Sequence, residues 1–389
     1  MTLPYDAHGA DAVVNNLAAE PAMFRGDARH GAIYDSAGVA ELHGVKWTFR
    51  TGAAVISTPA VANGTVYVGS SDHNLYALAA VSGALRWKFA TGGRVSSSPA
   101  VAAGRVYFAS YDSKLYALDA ATGALAWTFT TAGERRFSGK HLHGAEPAAE
   151  VMPDPFDVFL SSPVVVAGVV YFGSGDGNVY ALDAASGALR WRFKTGEDPK
   201  INNQVGIQSS AVVSGGVVYF GCRDSHLYAL DAASGTALWA YSTGESWVIS
   251  SPAVRDGKVY FATSDSGLVQ ALDAKSGTPV FSLAFNHWPF FSSPSLAGNF
   301  LYIGSEQGKL LAIDLGAQRL AWSFQTEDSK KNGPTYTNPD GTPNYRAAAR
   351  DSFYDQLVIA NDRMMSVGAV VDGDTIYFGS WDGQLYAIG

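Results

Sequence analysis

Histidine is the side chain that exchanges a proton most readily near neutral pH, and His287, in the run Phe285-Asn-His-Trp-Pro-Phe290, is the best candidate here for a general acid or base. Asp157 and Asp362 are the carboxylates that could orient or assist it. Arg363, beside Asp362, could hold an anionic group, and Trp247, Trp288 and Trp381 offer aromatic faces for stacking. Gln204, Glu245, Asn361 and Arg94 add further polar contacts. The chemistry these residues describe is acid–base work on a small molecule held by stacking and charge, or binding alone. No metal is assigned. His141 and His143 lie two apart near Glu146, a spacing better explained by solvated loop histidines, and Asp351 and Asp355 would share a solvated helix face. There is no G-x-S-x-G elbow, no H-E-x-x-H, no phosphate loop and no dinucleotide fingerprint. Cys222 stands where other units carry Ser, which reads as a buried packing residue.

These candidates are scattered from Arg94 to Trp381, so only the fold can unite them. A unit such as SSPAVAAGRVYFASYDSKLYALDAATGALAWTF, residues 97–129, recurs about every 41 residues. Aligned on the Pro of SSP, the units stand at Pro59, Pro99, Pro163, Ala211, Pro252, Pro294 and, degenerate, Gly368. Each holds four short β-runs with period-two alternation, separated by Gly- and Asp-containing turns. The expectation is an all-β, seven-bladed β-propeller of four-stranded antiparallel blades. The last unit lacks its W-x-F strand, and an orphan one, Val45-Lys-Trp-Thr-Phe49, precedes the first. That N-terminal strand is expected to close the ring as the outer strand of the last blade, hiding two open edges. Residues 1–44 read as an N-terminal arm and 45–389 as one propeller domain, with insertions at about 134–160, 197–207 and 326–365.

Repetition separates structural from candidate functional residues. Trp47, Trp87, Trp127, Trp191, Trp239 and Trp322 recur at one position and should pack between blades. The serine pairs should serve backbone groups, and Asp72, Asp112, Asp176, Asp224, Asp265 and Asp382 should hold hairpin turns rather than a metal ring. Trp247, Trp288 and Trp381 break the pattern and fall on loops of one face; they either form a binding surface or cap the core. Five to seven residues before each Pro, the chain enters the channel on that face. There units one and two are nearly bare, Gly52–Ala54 and Gly92–Arg94, while the others bring in Asp157, Gln204, Glu245, His287, Asn361, Asp362 and Arg363. Polar groups converging over an aromatic-rimmed funnel describe a small-molecule site. In the last insertion, KKNGPTYTNPDGTPN reads as turn-rich and mobile, and Tyr345 to Ala360 as a helix forming a lid or rim.

The segments Ala117–Trp127, ALDAATGALAW, and Ala181–Trp191, ALDAASGALRW, resemble the A-x-D-x-x-[ST]-G-x-x-x-W motif of the pyrroloquinoline-quinone (PQQ)-like propeller repeats, and the resemblance extends over residues 45–389. That family includes PQQ-dependent alcohol dehydrogenases and the outer-membrane assembly lipoprotein that scaffolds the β-barrel machine. The resemblance implies the propeller fold. Its well-known members have eight blades, and the dehydrogenases commonly carry an adjacent cysteine pair beside the quinone; this chain counts to seven and has one cysteine. The cofactor is therefore unknown, with PQQ disfavoured.

Composition narrows the rest. Hydrophobic residues are 47% and charged residues 16%, enough for a sizeable core, and 42 glycines suit turns. A net charge of −8 argues against nucleic acid. No apolar run approaches the roughly 18 residues of a membrane span. The start, MTLPYDAHGADAVVNN, lacks a leader pattern, so the compartment is cytoplasmic as written and periplasmic if a signal segment has been removed. Three functions stay open: small-molecule binding at the funnel, as binder or non-quinone enzyme; a scaffold for a peptide or protein partner; and a PQQ-dependent dehydrogenase.

Overall fold

The computed structural model describes residues 22–25, 47–53, 55–133, 136–138, 151–153, 161–196, 206–325, 327–344, 347, 370–372, 375–379 and 385–388. Short antiparallel strands dominate. Blade one pairs Ala60–Ala62, Thr65–Gly69, Asn74–Ala79 and Leu85–Ala90 in sequence order. Five more four-stranded sheets follow over 100–130, 164–194, 212–242, 253–284 and 295–325, then a three-stranded one, Val370–Asp372, Thr375–Gly379 and Leu385–Ile388. The innermost strands of blades one to five lie side by side in order, and that of blade six lies beside Val370–Asp372. This is the all-β propeller expected from the repeat.

Local chemistry explains each blade. The first hairpin turns on residues such as Asn63 and Gly64, with φ of 48° and 68°, the left-handed pair that a two-residue hairpin requires. In the third hairpin of blade two, between its third and fourth strands, Asp119 Oδ1 accepts from the amides of Ala121 and Thr122 and from the Thr122 hydroxyl. Gly123 then leaves room for the ring of Trp87 from the preceding blade; a Cβ there would lie 2.7 Å from Trp87 Cδ2. The Trp87 indole donates to Ala120 O at 3.1 Å. The same bond runs from Trp127 to Ala184 O, Trp191 to Ala232 O and Trp239 to Ala274 O. Blade five has Phe281 at this position, 8% exposed.

The orphan tryptophan behaves the same way. Trp47 donates to Ala80 O at 2.9 Å and covers Gly83, and Phe49 meets Tyr76 edge-on at 5.4 Å. Residues 47–49 thus do for blade one what each outer strand does for the next blade. Their register against the last sheet involves residues outside the described set.

The serine pairs serve backbone groups, as expected. The first of each pair receives an amide from the second strand of its own blade, as Ser161 does from Gly173 N. The second receives an amide from the preceding blade: Thr58 N to Ser98 Oγ, Ser98 N to Ser162 Oγ, Ser162 N to Ser210 Oγ, Ser210 N to Ser251 Oγ and Ser251 N to Ser293 Oγ, all 2.9–3.0 Å. A belt of hydroxyls therefore joins blades one to six around the channel.

The last insertion departs from its turn-rich reading. Glu327–Tyr336 is an α-helix that contains Pro334. Ser329 ties it to the blade-six turn, its hydroxyl donating to Gln307 O at 2.5 Å and accepting from Gln325 Nε2 at 2.9 Å. A bridge between Thr337 and Pro343 closes the turn that follows. The stretch expected to be helical, Tyr345 to Ala360, lies outside the described residues apart from Ala347.

Candidate functional site

One end of the channel is built by two kinds of segment in alternation: the turn between the second and third strands of each blade, and the lead-in that brings the chain to the next. Three described lead-ins are bonded to both neighbouring turns. Val95 N donates to Ser70 O and Tyr111 N to Arg94 O; Val248 N donates to Cys222 O and Ser264 N to Trp247 O; Phe290 N donates to Thr263 O and Glu306 N to Pro289 O. Two side-chain positions per blade therefore meet at the mouth. One is the residue just before the turn aspartate, which is Ser71, Tyr111, Gly175, Arg223, Ser264 and Glu306 in blades one to six. The other is the lead-in residue, among them Arg94, Gly206, Trp247 and Pro289.

A structural lock underlies the turns of blades one to four. Tyr76, Tyr116, Tyr180 and Tyr228 donate their hydroxyls to Asp72, Asp112, Asp176 and Asp224 at 2.5–2.7 Å. Burial and the adjoining carboxylate hold these phenols protonated, Tyr76 being pushed up to about 12. Asp72 and Asp112 also accept from Gly52 N and Gly92 N at the end of the preceding blade. Blades five and six break the lock. Gln270 replaces the tyrosine opposite Phe261 and bonds Tyr241 and Ser282, while blade six has Gln307 for the aspartate and Leu311 for the tyrosine.

The departures gather around that same sector. Arg223 is fully buried, and its guanidinium carbon lies 4.4 Å from the centroid of the Trp247 ring. Gly206 flanks it on the other side, where a Cβ would stand 3.9 Å from Arg223 Cδ and Nη1. His287 is exposed at φ 59°, with Nδ1 3.2 Å from Asp265 O. Gly267, at φ +61°, allows that approach, because a Cβ there would lie 2.9 Å from His287 Cα. Glu306 is 9% exposed, and among the described residues no side-chain hydrogen bond reaches its carboxyl. Burial, with Asp265 acting in the same direction, pushes its pKa up to about 8, so it is mostly protonated at pH 7.

Of the other residues named from sequence, Trp288 is 6% exposed and its indole donates to Gly341 O at 2.8 Å, which gives it the core-capping arrangement beneath the last insertion. Glu245 is exposed, and Arg94, also exposed, lies over the ring of Tyr111 at 4.9 Å. Asp157, Gln204, Asn361, Asp362, Arg363 and Trp381 lie outside the described residues, as do His141, His143 and Glu146. Cys222 is fully buried and burial pushes its thiol well up, which suppresses the thiolate a nucleophile needs. Arg223 and Glu306 were not anticipated. Their signal was in the repeat: the residue before the turn aspartate changes from unit to unit while its neighbours hardly change.

Three overlapping stretches, residues 37–221, 145–324 and 223–389, match the model of the PQQ-like repeat family described as outer membrane protein assembly factor BamB. The chain belongs to that family. No curated protein matches its sequence. Among solved structures, it is similar to BamB from Moraxella catarrhalis at 16% identity and a TM-score of 0.65, covering 88% of each chain. It is also similar to the quinohemoprotein alcohol dehydrogenase ADHIIG from Pseudomonas putida HK5 at 17% identity and a TM-score of 0.68, covering 94% of this chain and 70% of that one. The corresponding enzyme from Comamonas testosteroni gives 16%, 0.67 and the same coverage. Identities this low show the fold alone. The chain's only cysteine, Cys222, is buried in blade four, and among the described residues no group of three His, Cys, Asp or Glu could hold a metal. No element of the described structure is a helix long and apolar enough to cross a membrane.

Proposed function

We propose that this family member binds a small molecule at the mouth of its channel, in the sector of blades four to six, and uses no quinone. The observation that carries the reading is the presence of Arg223 and Glu306, two blades apart, at a turn position that is Ser71, Gly175 and Ser264 in blades one, three and five, with Trp247 and His287 on the lead-ins between them. A neutral carboxyl donates a hydrogen bond that a carboxylate cannot. Glu306 suits a ligand carbonyl or oxyanion, Trp247 a planar group, and His287 a proton transfer if the ligand is turned over. From the sequence, Asp157 or Asp362 assists His287, Arg363 receives an anionic group, and Arg94, Gln204, Glu245, Asn361 and Trp381 complete the rim. The last insertion walls this sector through Ser329 and Gly341.

The test is native mass spectrometry of the purified protein against its denatured mass, followed by thermal-shift screening of a metabolite panel. A ligand that binds the wild type should bind His287→Ala or Glu306→Leu about tenfold or more weakly, the loss of one charged or buried hydrogen bond. Ligands whose affinity ignores both substitutions would remove this sector as the site. A scaffold role is the second reading. It is favoured by family membership and by leucines exposed on successive outer strands, Leu85, Leu125, Leu189 and Leu238, each 47–53% exposed. It expects a captured protein partner and no dependence on His287.

A further inference from the structure

Below the mouth, the channel is crossed by residues that precede blade one by a long stretch of chain. Ala22 and Val101, on the innermost strand of blade two, exchange both backbone hydrogen bonds, at 3.0 and 2.6 Å, as an antiparallel bridge. Met23 is 7% exposed and packs into the core shared by blades two, three and four. Arg25 is 5% exposed, and its Nη2 donates to Pro294 O and, at 3.0 Å, to Ser295 Oγ on blade six. Four residues thus connect two separate walls of the ring. The innermost strand of any blade is a sheet edge. In blade one the position equivalent to Val101 is Val61, which is 58% exposed, whereas Val101 beneath Ala22 is 5% exposed.

These contacts amount to a recognition pattern. Blade two supplies backbone pairing at Ala22, the core beside it accepts the apolar side chain of Met23, and after a turn at residues 24–25, with Arg25 at φ 58°, blade six takes the guanidinium. Neither blade requires the segment to complete its sheet, since all four strands of blades two and six come from their own units. We propose that the walls of blades two and six form a binding site for a short peptide of the pattern apolar–x–Arg that pairs with blade two and then turns, with Ala22–Arg25 as its resident and displaceable occupant. The tether raises the resident's effective concentration, so a free peptide gains access only when the resident's grip is weakened. The proposal is independent of the small-molecule site at the mouth.

The experiment uses the full chain and a labelled synthetic peptide of residues 20–27, EPAMFRGD. In the variant Ala22→Pro/Arg25→Ala, which removes one backbone donor and the guanidinium, the peptide should bind about tenfold or more tightly than to the wild type. The same peptide with alanine for its arginine should not bind. Hydrogen exchange gives a second readout: the Val101 amide should exchange about tenfold faster in the variant and slow again when peptide is added. If the double substitution prevents folding, Arg25→Lys in the full chain should show the same effects at smaller amplitude. Equal peptide binding to wild type and variant, no binding to either, or a Val101 amide unaffected by substitution and peptide would overturn the proposal.

Discussion

Glu306 shows how one residue can couple a site to pH. Its folded pKa is raised to about 8 from an ordinary 4.5, so the folded protein holds a proton that the unfolded chain has released. Between those values stability falls as pH rises, and above about 8 the loss is complete. Glu306→Gln keeps the shape and removes the titration. The variant should gain a few kcal/mol relative to wild type at pH 9 and close to nothing at pH 4, read from urea midpoints across pH. Parallel pH profiles for the two proteins would show that Glu306 ionises as it does in water. The sequence disclosed His287 and Trp247 because they interrupt a motif, but it could not disclose the burial of Glu306. Burial here depends on the lead-in at Pro289, the blade-five turn and the helix fixed by Ser329, which are brought together only by folding.

At the scale of the element, the glycines of the two hairpins separate backbone strain from packing. Gly123 and Gly104 have nearly the same φ, 74° and 75°, but Gly123 lies under Trp87 while no atom stands within 4 Å of a Cβ at Gly104. Gly104→Ala should cost about 1–2 kcal/mol from the left-handed backbone alone. Gly123→Ala should cost about 2–4 kcal/mol, because the indole must also move. Chemical denaturation of the pair checks this, and equal losses would mean that the tryptophan contributes no close packing. The blades were legible in the sequence because strand alternation, turn residues and the tryptophan recur together, each supporting the others. The helix Glu327–Tyr336 was not, since Gly333 and Pro334 oppose it and it is held by tertiary bonds from Ser329 and Gln325.

For the whole molecule, the decisive element is the segment around Trp47. If it stands in for an outer strand, Trp47→Ala should destabilise the protein about as much as Trp87→Ala, on the order of 3 kcal/mol, although Trp47 lies outside the six four-stranded blades. A Trp47→Ala variant that melts with the wild type would show that the ring does not depend on this closure. The sequence offered this closure as the simplest way to hide two edges, and Trp47 lies on blade one as that requires.

The serine belt leads to one more consequence. Each junction from blade one to blade six is made by the same amide-to-hydroxyl bond, pointing the same way around the channel. Each of these bonds joins neighbouring blades without using the covalent connection between them. Circular permutants of this sequence that join its two ends with a linker and open it at the blade two–three or four–five connection should therefore assemble the same ring, since covalent continuity and blade contact are separable in such an architecture.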